Sequence, residues 1–324
     1  MAEILPETEA LDRALQLLRA GEAIAIPTET VYGLAADATN GEAVARIFEA
    51  KRRPRFNPLI AHVSGLEMAE RHAVFDPLSR RLAQHFWPGP LTLVLPLRPD
   101  SAVHPLVTAG LDTLALRCPR GFASRLIAAL GHPLAAPSAN SSGRVSATTA
   151  AHVEAGMGER IPLIVDGGPT PVGLESTIVK VEGEALRLLR PGGVAAEEIE
   201  AVAGRPVTRA DGGAIEAPGM MRSHYAPNAR LRLDATDVRP GEALLAFGPV
   251  RARGAGDAVA TVNLSPDGDL REAAAQLFAA LQELDATGAA SIAAEPVPMD
   301  GLGEAINDRL DRAAAPRDNA GGRP

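Results

Sequence analysis

Along this chain, short apolar runs of strand length alternate with stretches whose apolar residues recur every three to four positions. That alternation restricts it to folds in which helices pack on a sheet. Leu11, Leu15 and Leu18 recur at helical spacing, and Gly21 supplies a stop. The pattern then predicts a strand over 23–27, a helix over 42–50, a strand over 59–63, a helix over 77–86, strands over 91–95 and 113–117, and a helix over 122–130. Strands over 163–166, 177–181 and 185–189 come with the glycine turns Gly167-Gly168 and Glu182-Gly183-Glu184, which favour hairpins and therefore a mixed sheet. After a helix near 197–202, residues 204–228 hold four Gly and three Pro with little periodicity and read as a linker. Strands over 243–247, 258–262 and 291–294 with helices over 270–284 and 304–313 complete the pattern. The expected class is α/β: a twisted mixed sheet with helices over 1–205, a linker over 206–229, a smaller Rossmann-like α/β domain over 230–316, and a disordered tail over 317–324.

A chain of 324 residues has room for two domains, each with its own core. Residues 1–21 lack a basic n-region and an apolar h-region, and no apolar run approaches the roughly 18 residues of a membrane span, so the expected compartment is the cytoplasm and no membrane is expected as a partner. The single cysteine, Cys118, cannot close an internal disulfide, and no Cys or His cluster has zinc-ligand spacing. A net charge of -8 and an aromatic content of 3% argue against a protein devoted to phosphate-backbone binding or base stacking. Lysine occurs only at Lys51 and Lys180, so Lys51 is a candidate for a task that needs a compact point charge.

Four segments carry chemistry. Lys51-Arg52-Arg53-Pro54-Arg55-Phe56-Asn57-Pro58 sets four cations within five residues at a helix end. Alone it reads equally as a solvated face, but the two prolines shape a rigid loop, which suits polyphosphate. Pro27-Thr28-Glu29-Thr30-Val31-Tyr32-Gly33-Leu34 follows an apolar strand, where open α/β sheets place ligands, although a turn with capping threonines has the same composition. Ala136-Pro137-Ser138-Ala139-Asn140-Ser141-Ser142-Gly143 is crowded with hydroxyls and amides in the same way. In Thr113-Leu114-Ala115-Leu116-Arg117, alternation sends the leucines to one face and Thr113, Ala115 and Arg117 to the other, with Thr113 and Arg117 emerging about 13 Å apart. The alternative is an edge strand with an exposed arginine. No P-loop, dinucleotide fingerprint or nucleophile elbow is present, and His62 on its short apolar strand reads by default as a core histidine.

Together with Trp87-Pro88-Gly89-Pro90-Leu91-Thr92, Thr108-Ala109-Gly110, Glu175-Ser176-Thr177 and, in the linker, Ala217-Pro218-Gly219-Met220 and His224-Tyr225-Ala226-Pro227, these segments resemble the YrdC-like threonylcarbamoyl-adenylate synthases in their long form. The resemblance implies an ATP-dependent enzyme that joins L-threonine, bicarbonate and ATP into threonylcarbamoyl-AMP and pyrophosphate, toward threonylcarbamoyl-adenosine beside the tRNA anticodon. It implies a K-x-R and S-x-N catalytic set at Lys51, Arg53, Ser138 and Asn140. Threonine contacts fall on Thr30, His62, Arg117, the backbone of Ala136, and Ser176. Nucleotide contacts fall on Arg53, Asn57, Thr113, Ser138, Ser146, Arg190 and, from the linker, Tyr225. Mg²⁺ is expected to arrive with ATP, a downstream threonylcarbamoyl-transferase complex is the expected partner, and direct binding of tRNA is left open. A linker span from Met220 to Tyr225 is expected to cover the loaded site and exclude water. Two other readings compete: a non-catalytic RNA-binding module, against which the net charge counts, and carbamoyl transfer in hydrogenase maturation, whose chains carry CxxC zinc pairs that are absent here.

Overall fold

The computed structural model describes residues 1–209, 216–219 and 224–316. Met220 and the 317–324 tail, both named among the sequence expectations, lie outside the described residues. The chain divides into two units, Met1–Ser142 with Ser146–Met220, and Gly143–Val145 with Met221–Pro324.

In the first unit the strands are β1 (Glu3–Pro6), β2 (Ile24–Ile26), β3 (Gly33–Asp37), β4 (Ile60–His62), β5 (Leu91–Pro96), β6 (Thr113–Arg117), β7 (Leu134–Ala135), β8 (Leu163–Asp166), β9 (Thr177–Glu182), β10 (Ala185–Arg190) and β11 (Thr208–Arg209). The helices are α1 (Leu11–Arg19), α2 (Gly41–Lys51), α3 (Leu66–Glu70), α4 (Pro77–Phe86), α5 (Pro105–Thr108), α6 (Phe122–Leu130), α7 (Ala150–Met157) and α8 (Ala196–Ala203). The strands form one mixed sheet in the order β1-β8-β2-β3-β7-β4-β6-β5-β9-β10-β11. At its centre β6 runs parallel to β4, which sets His62 beside Arg117, and antiparallel to β5, with Leu93 opposite Leu116. β7 joins β4 to β3, Ala135 pairing with both Ala61 and Ala36. β9 and β10 form the expected hairpin, turning at Gly183 with a φ of 59°.

Alternation divides β6 as its sequence predicts. Leu114 and Leu116 enter the main core, which Leu18, Ile47, Leu82 and Leu126 reach from α1, α2, α4 and α6. Each such side chain contributes roughly 1.5–3 kcal/mol on full burial. Ala115 faces the other way, with Ile60, Val94, Ile178, Leu189 and Ala217. The edge-strand alternative for 113–117 is overturned: β6 has a strand on each side, and Arg117 is 3% exposed. Within the range read as linker, Thr208–Arg209 pair with β10, and the 216–219 segment belongs to the first unit.

In the second unit β12 (Arg230–Arg232), β13 (Glu242–Ala246), β14 (Thr261–Asn263) and β15 (Ser291–Ala294) make a wholly parallel sheet in the order β12-β15-β13-β14, accompanied by α9 (Leu270–Ala286) and α10 (Gly303–Ala314). Asp269 caps α9 by accepting from Arg271 N at 2.6 Å and Glu272 N at 3.0 Å, and the helix buries Leu277, Phe278, Leu281 and Leu284.

Candidate active site

Asn40 opens α2 by accepting from Glu42 N and Ala43 N, and Arg52 closes it in the left-handed region at φ 53°. The cap turns the chain sharply, so that Lys51 and Arg53 are buried while Arg52 and Arg55 stay exposed. Lys51, 2% exposed, donates from Nζ to Ser138 O and Asn140 O, each at 2.5 Å, and Ser142 N donates to Lys51 O at 3.0 Å. The loop after β7 is held on its other side by Leu34 N donating to Pro137 O at 2.7 Å and by a bridge between Gly33 and Ser138. The K-x-R and S-x-N segments are thus one structure, joined by an ammonium on two neutral carbonyls. An ammonium has three donors, so one direction remains for a further acceptor. Burial first, then the charges of Arg53 and Arg160, push Lys51 well below its ordinary 10.5, while Glu175 pulls the other way. Arg53 donates from Nε to Asn57 O at 3.3 Å and from Nη2 to Pro58 O at 2.9 Å, which places the buried Asn57 beside it.

A second cluster gathers at the end of β6. Arg117 donates from Nη1 to Thr30 Oγ1 at 2.8 Å and from Nε to Gly89 O at 3.2 Å, and its Nη2 lies 2.8 Å from Glu29 Oε1. Glu29 also accepts from Arg120 N at 3.0 Å. Burial pulls the Glu29 carboxyl upward, but the Arg117 charge and the Arg120 N–H outweigh it and leave the group below its ordinary 4.5. Burial and the same guanidinium hold His62 well below 6.5, and its Nε2 is buried without a hydrogen-bond partner. Ala136 N donates to Ile60 O at 3.1 Å on the adjoining strand end.

The third cluster lies before β9 and at the end of β10. Arg190 donates from Nη2 to Ser176 O at 2.8 Å and Ser176 Oγ at 3.1 Å, and from Nη1 to Pro218 O at 3.3 Å. Ser176 Oγ also lies 2.7 Å from Thr92 Oγ1, and Ser146 Oγ donates to Glu175 Oε1 at 2.5 Å. Gly192 is required here: a Cβ on it would stand 2.5 Å from Ser176 C and Thr177 N. Thr113 is half-buried at the far end of β6 from Arg117. Tyr225 lies in the second unit, its ring 5.4 Å from that of Phe278 and 5.0 Å from the Arg309 guanidinium.

Hydrogen bonds therefore join Lys51 to Ser138 and Asn140, Arg53 to Asn57, Thr30 to Arg117, and Ser176 to Arg190, with His62 in register beside Arg117. Glu29 and Glu175, to which the sequence motifs assign no role, face Arg117 and Lys51 respectively. Their signal was position, each standing next to a polar residue expected to touch threonine. Buried cations in the first unit suit a ligand with several negative charges, and a guanidinium flanked by a threonine hydroxyl suits a carboxylate.

Residues 16–192 match the Sua5/YciO/YrdC family model, described as telomere recombination, and residues 194–315 match the model of the threonylcarbamoyl-AMP synthase C-terminal domain. The chain is 40% identical over 334 residues to the threonylcarbamoyl-AMP synthase of Bacillus subtilis (strain 168), with 97% of this chain and 96% of that one covered. It is 41% identical over 320 residues to the Pyrococcus abyssi protein of the same name, covering 94% of each. A crystal structure of P. abyssi Sua5 complexed with L-threonine superposes with a TM-score of 0.85 at 38% identity, covering 97% of this chain and 98% of that one.

Proposed function

The chain belongs to the YrdC-like threonylcarbamoyl-AMP synthase family in its long form, and on that premise we propose that it condenses L-threonine, bicarbonate-derived CO₂ and ATP into threonylcarbamoyl-AMP, releasing pyrophosphate. The product is a labile mixed anhydride, suited to transfer by a downstream threonylcarbamoyl-transferase complex onto the adenosine beside the tRNA anticodon. The cytoplasm is the proposed compartment. No helix among the described residues is long and apolar enough to cross a membrane.

In the proposed sequence the neutral amine of threonine attacks CO₂ and loses a proton, giving a carbamate. A carbamate oxygen then attacks the α-phosphorus as the bond to the pyrophosphate oxygen breaks. Negative charge grows on the phosphate oxygens and the departing pyrophosphate, so fixed cations lower the barrier. Lys51, Arg53 and Arg190 are proposed to meet the phosphates, with Asn57, Thr113, Ser138 and Ser146 seating the nucleotide. Arg117, Thr30, His62, Ser176 and the Ala136 backbone are proposed to seat threonine, its carboxylate on Arg117. Mg²⁺ is proposed to belong to the substrate, carried in on the ATP phosphates.

The observation that carries this reading is the Lys51 ammonium, buried, held by carbonyls of the Ser138–Asn140 loop and crowded by positive charge. Such a group gains most from an arriving polyanion. Incubation with threonine, bicarbonate and MgATP tests it, with pyrophosphate and the AMP adduct measured. Lys51→Ala is expected to lower adduct formation at least about a hundredfold while melting cooperatively. Normal turnover by a folded Lys51→Ala protein removes the assignment.

A further inference from the structure

Arg160 stands outside every segment that the sequence marked, in the turn between α7 and β8, where its N–H donates to Met157 O at 2.8 Å. Its guanidinium reaches three pieces of chain. Nη1 donates to Ala50 O at 2.5 Å, and Nη2 donates to Ser141 Oγ at 2.7 Å and also to Gly156 O. Ala50 precedes Lys51 in the last turn of α2, where carbonyls have no intrahelical partner, and Ser141 follows Asn140. One side chain therefore ties the neighbour of Lys51 to the neighbour of Asn140. The same two loops are joined on their other side by Lys51 itself, through Ser138 O and Asn140 O.

Those inner bonds belong to a group that must also hold substrate. When phosphate oxygens reach Lys51, its ammonium divides its donors between them and the two carbonyls, and the loops need a second fastening that the substrate does not compete for. We infer that Arg160 is that fastening: a positioning residue that holds the K-x-R loop against the S-x-N loop from behind, so that Lys51 stays aimed at the nucleotide during adenylation. The inference rests on the reading of the site given above.

The surroundings argue that this side chain is more than core packing. Arg160 is exposed and borders an open cavity of about 430 Å³, across which Arg46 pairs with Glu22. What it supplies is a fork of donors and a charge. The charge also reaches Lys51, whose charged neighbours are Arg53, Arg160 and Glu175, and it lowers the pH at which the ammonium gives up its proton.

Two variants separate fork from charge. Arg160→Met removes both, and Arg160→Lys keeps the charge without the planar fork. In the adduct-forming assay, both are expected to lose about ten- to a hundredfold in kcat/KM for ATP, as a misplaced catalytic group does. Only Arg160→Met is expected to move the alkaline limb of the pH profile upward, because Lys51 then keeps its proton to higher pH. Thermal melting of each variant shows that folded protein is assayed. Unchanged kcat/KM in both variants overturns the inference, as does a loss that follows a lowered melting temperature with the alkaline limb unmoved in Arg160→Met. A wild-type protein that forms no adduct takes down the reading of the site, and this inference with it.

Discussion

Arg117 is the side chain whose environment most constrains the chemistry at the residue scale. It is a buried cation that already has a carboxylate partner, yet it is proposed to take a second one from threonine. Glu29 stabilises the empty protein, since a buried guanidinium without a counter-charge costs several kcal/mol. Glu29→Gln keeps the volume and an acceptor for Arg120 N but removes the charge. The expected loss of stability is about 3–5 kcal/mol, the range for breaking a buried pair from one side. Threonine then becomes the only carboxylate on Arg117, so it should raise the melting temperature of the variant more than that of the wild type. Melting with and without threonine decides this. An unchanged melting temperature in the ligand-free variant, or an equal gain from threonine in both proteins, refutes it.

At the scale of the element, α2 matters because its front end is capped by Asn40 and its rear end delivers Lys51. Asn40→Ala removes acceptors for Glu42 N and Ala43 N and is expected to cost about 1 kcal/mol, lowering the melting temperature by about 2–4 °C. The KM for ATP should not change, since Lys51 lies eleven residues beyond the cap, at the other end of the helix; an altered KM rules out this separation of roles. The helix itself was legible because Val44 and Ile47 repeat at its period. β3 was not: Gly33, Leu34, Ala35, Ala36 and Asp37 are buried on both faces, so no alternation marks them. β7 has two residues, and α7 lacks a clear apolar stripe, so neither left a periodic trace. In the site, the sequence exposed which loops carry charge. It did not show that Lys51 bonds main-chain carbonyls, or that Arg160 crosses from another turn, because those contacts depend on tertiary structure.

For the molecule as a whole, shifted groups in the two units titrate in different pH windows, and this predicts separable contributions to acid response. In the first unit, burial holds His62, His72 and His152 below 6.5. An unfolded chain protonates these rings near pH 6.5 while the folded unit does not. Their contribution is therefore full above 6.5 and is lost as pH falls from there toward their lower folded values. In the second unit Glu242 accepts from Arg232, from Arg239 N at 2.9 Å and from Ser291 Oγ at 3.1 Å, which fastens β12 and β15 to β13. The Arg232 hydrogen bond is the main reason its carboxyl sits at about 2. That contribution is full above the ordinary 4.5 and is lost only as pH drops from 4.5 toward 2. Between pH 7.5 and 5.5 the first unit should weaken, while the Glu242 contribution to the second should hold. The chain has a single tryptophan, Trp87, which lies in the first unit, so its fluorescence reports that unit alone. The urea midpoint read from Trp87 is expected to fall over this pH range. By hydrogen exchange of β13 peptides, the difference in opening free energy between wild type and Glu242→Gln should stay constant over the same range. A Trp87 midpoint that does not move contradicts the assignment of acid sensitivity to His62, His72 and His152, and a wild-type-minus-variant difference that shrinks above pH 5.5 contradicts that of Glu242.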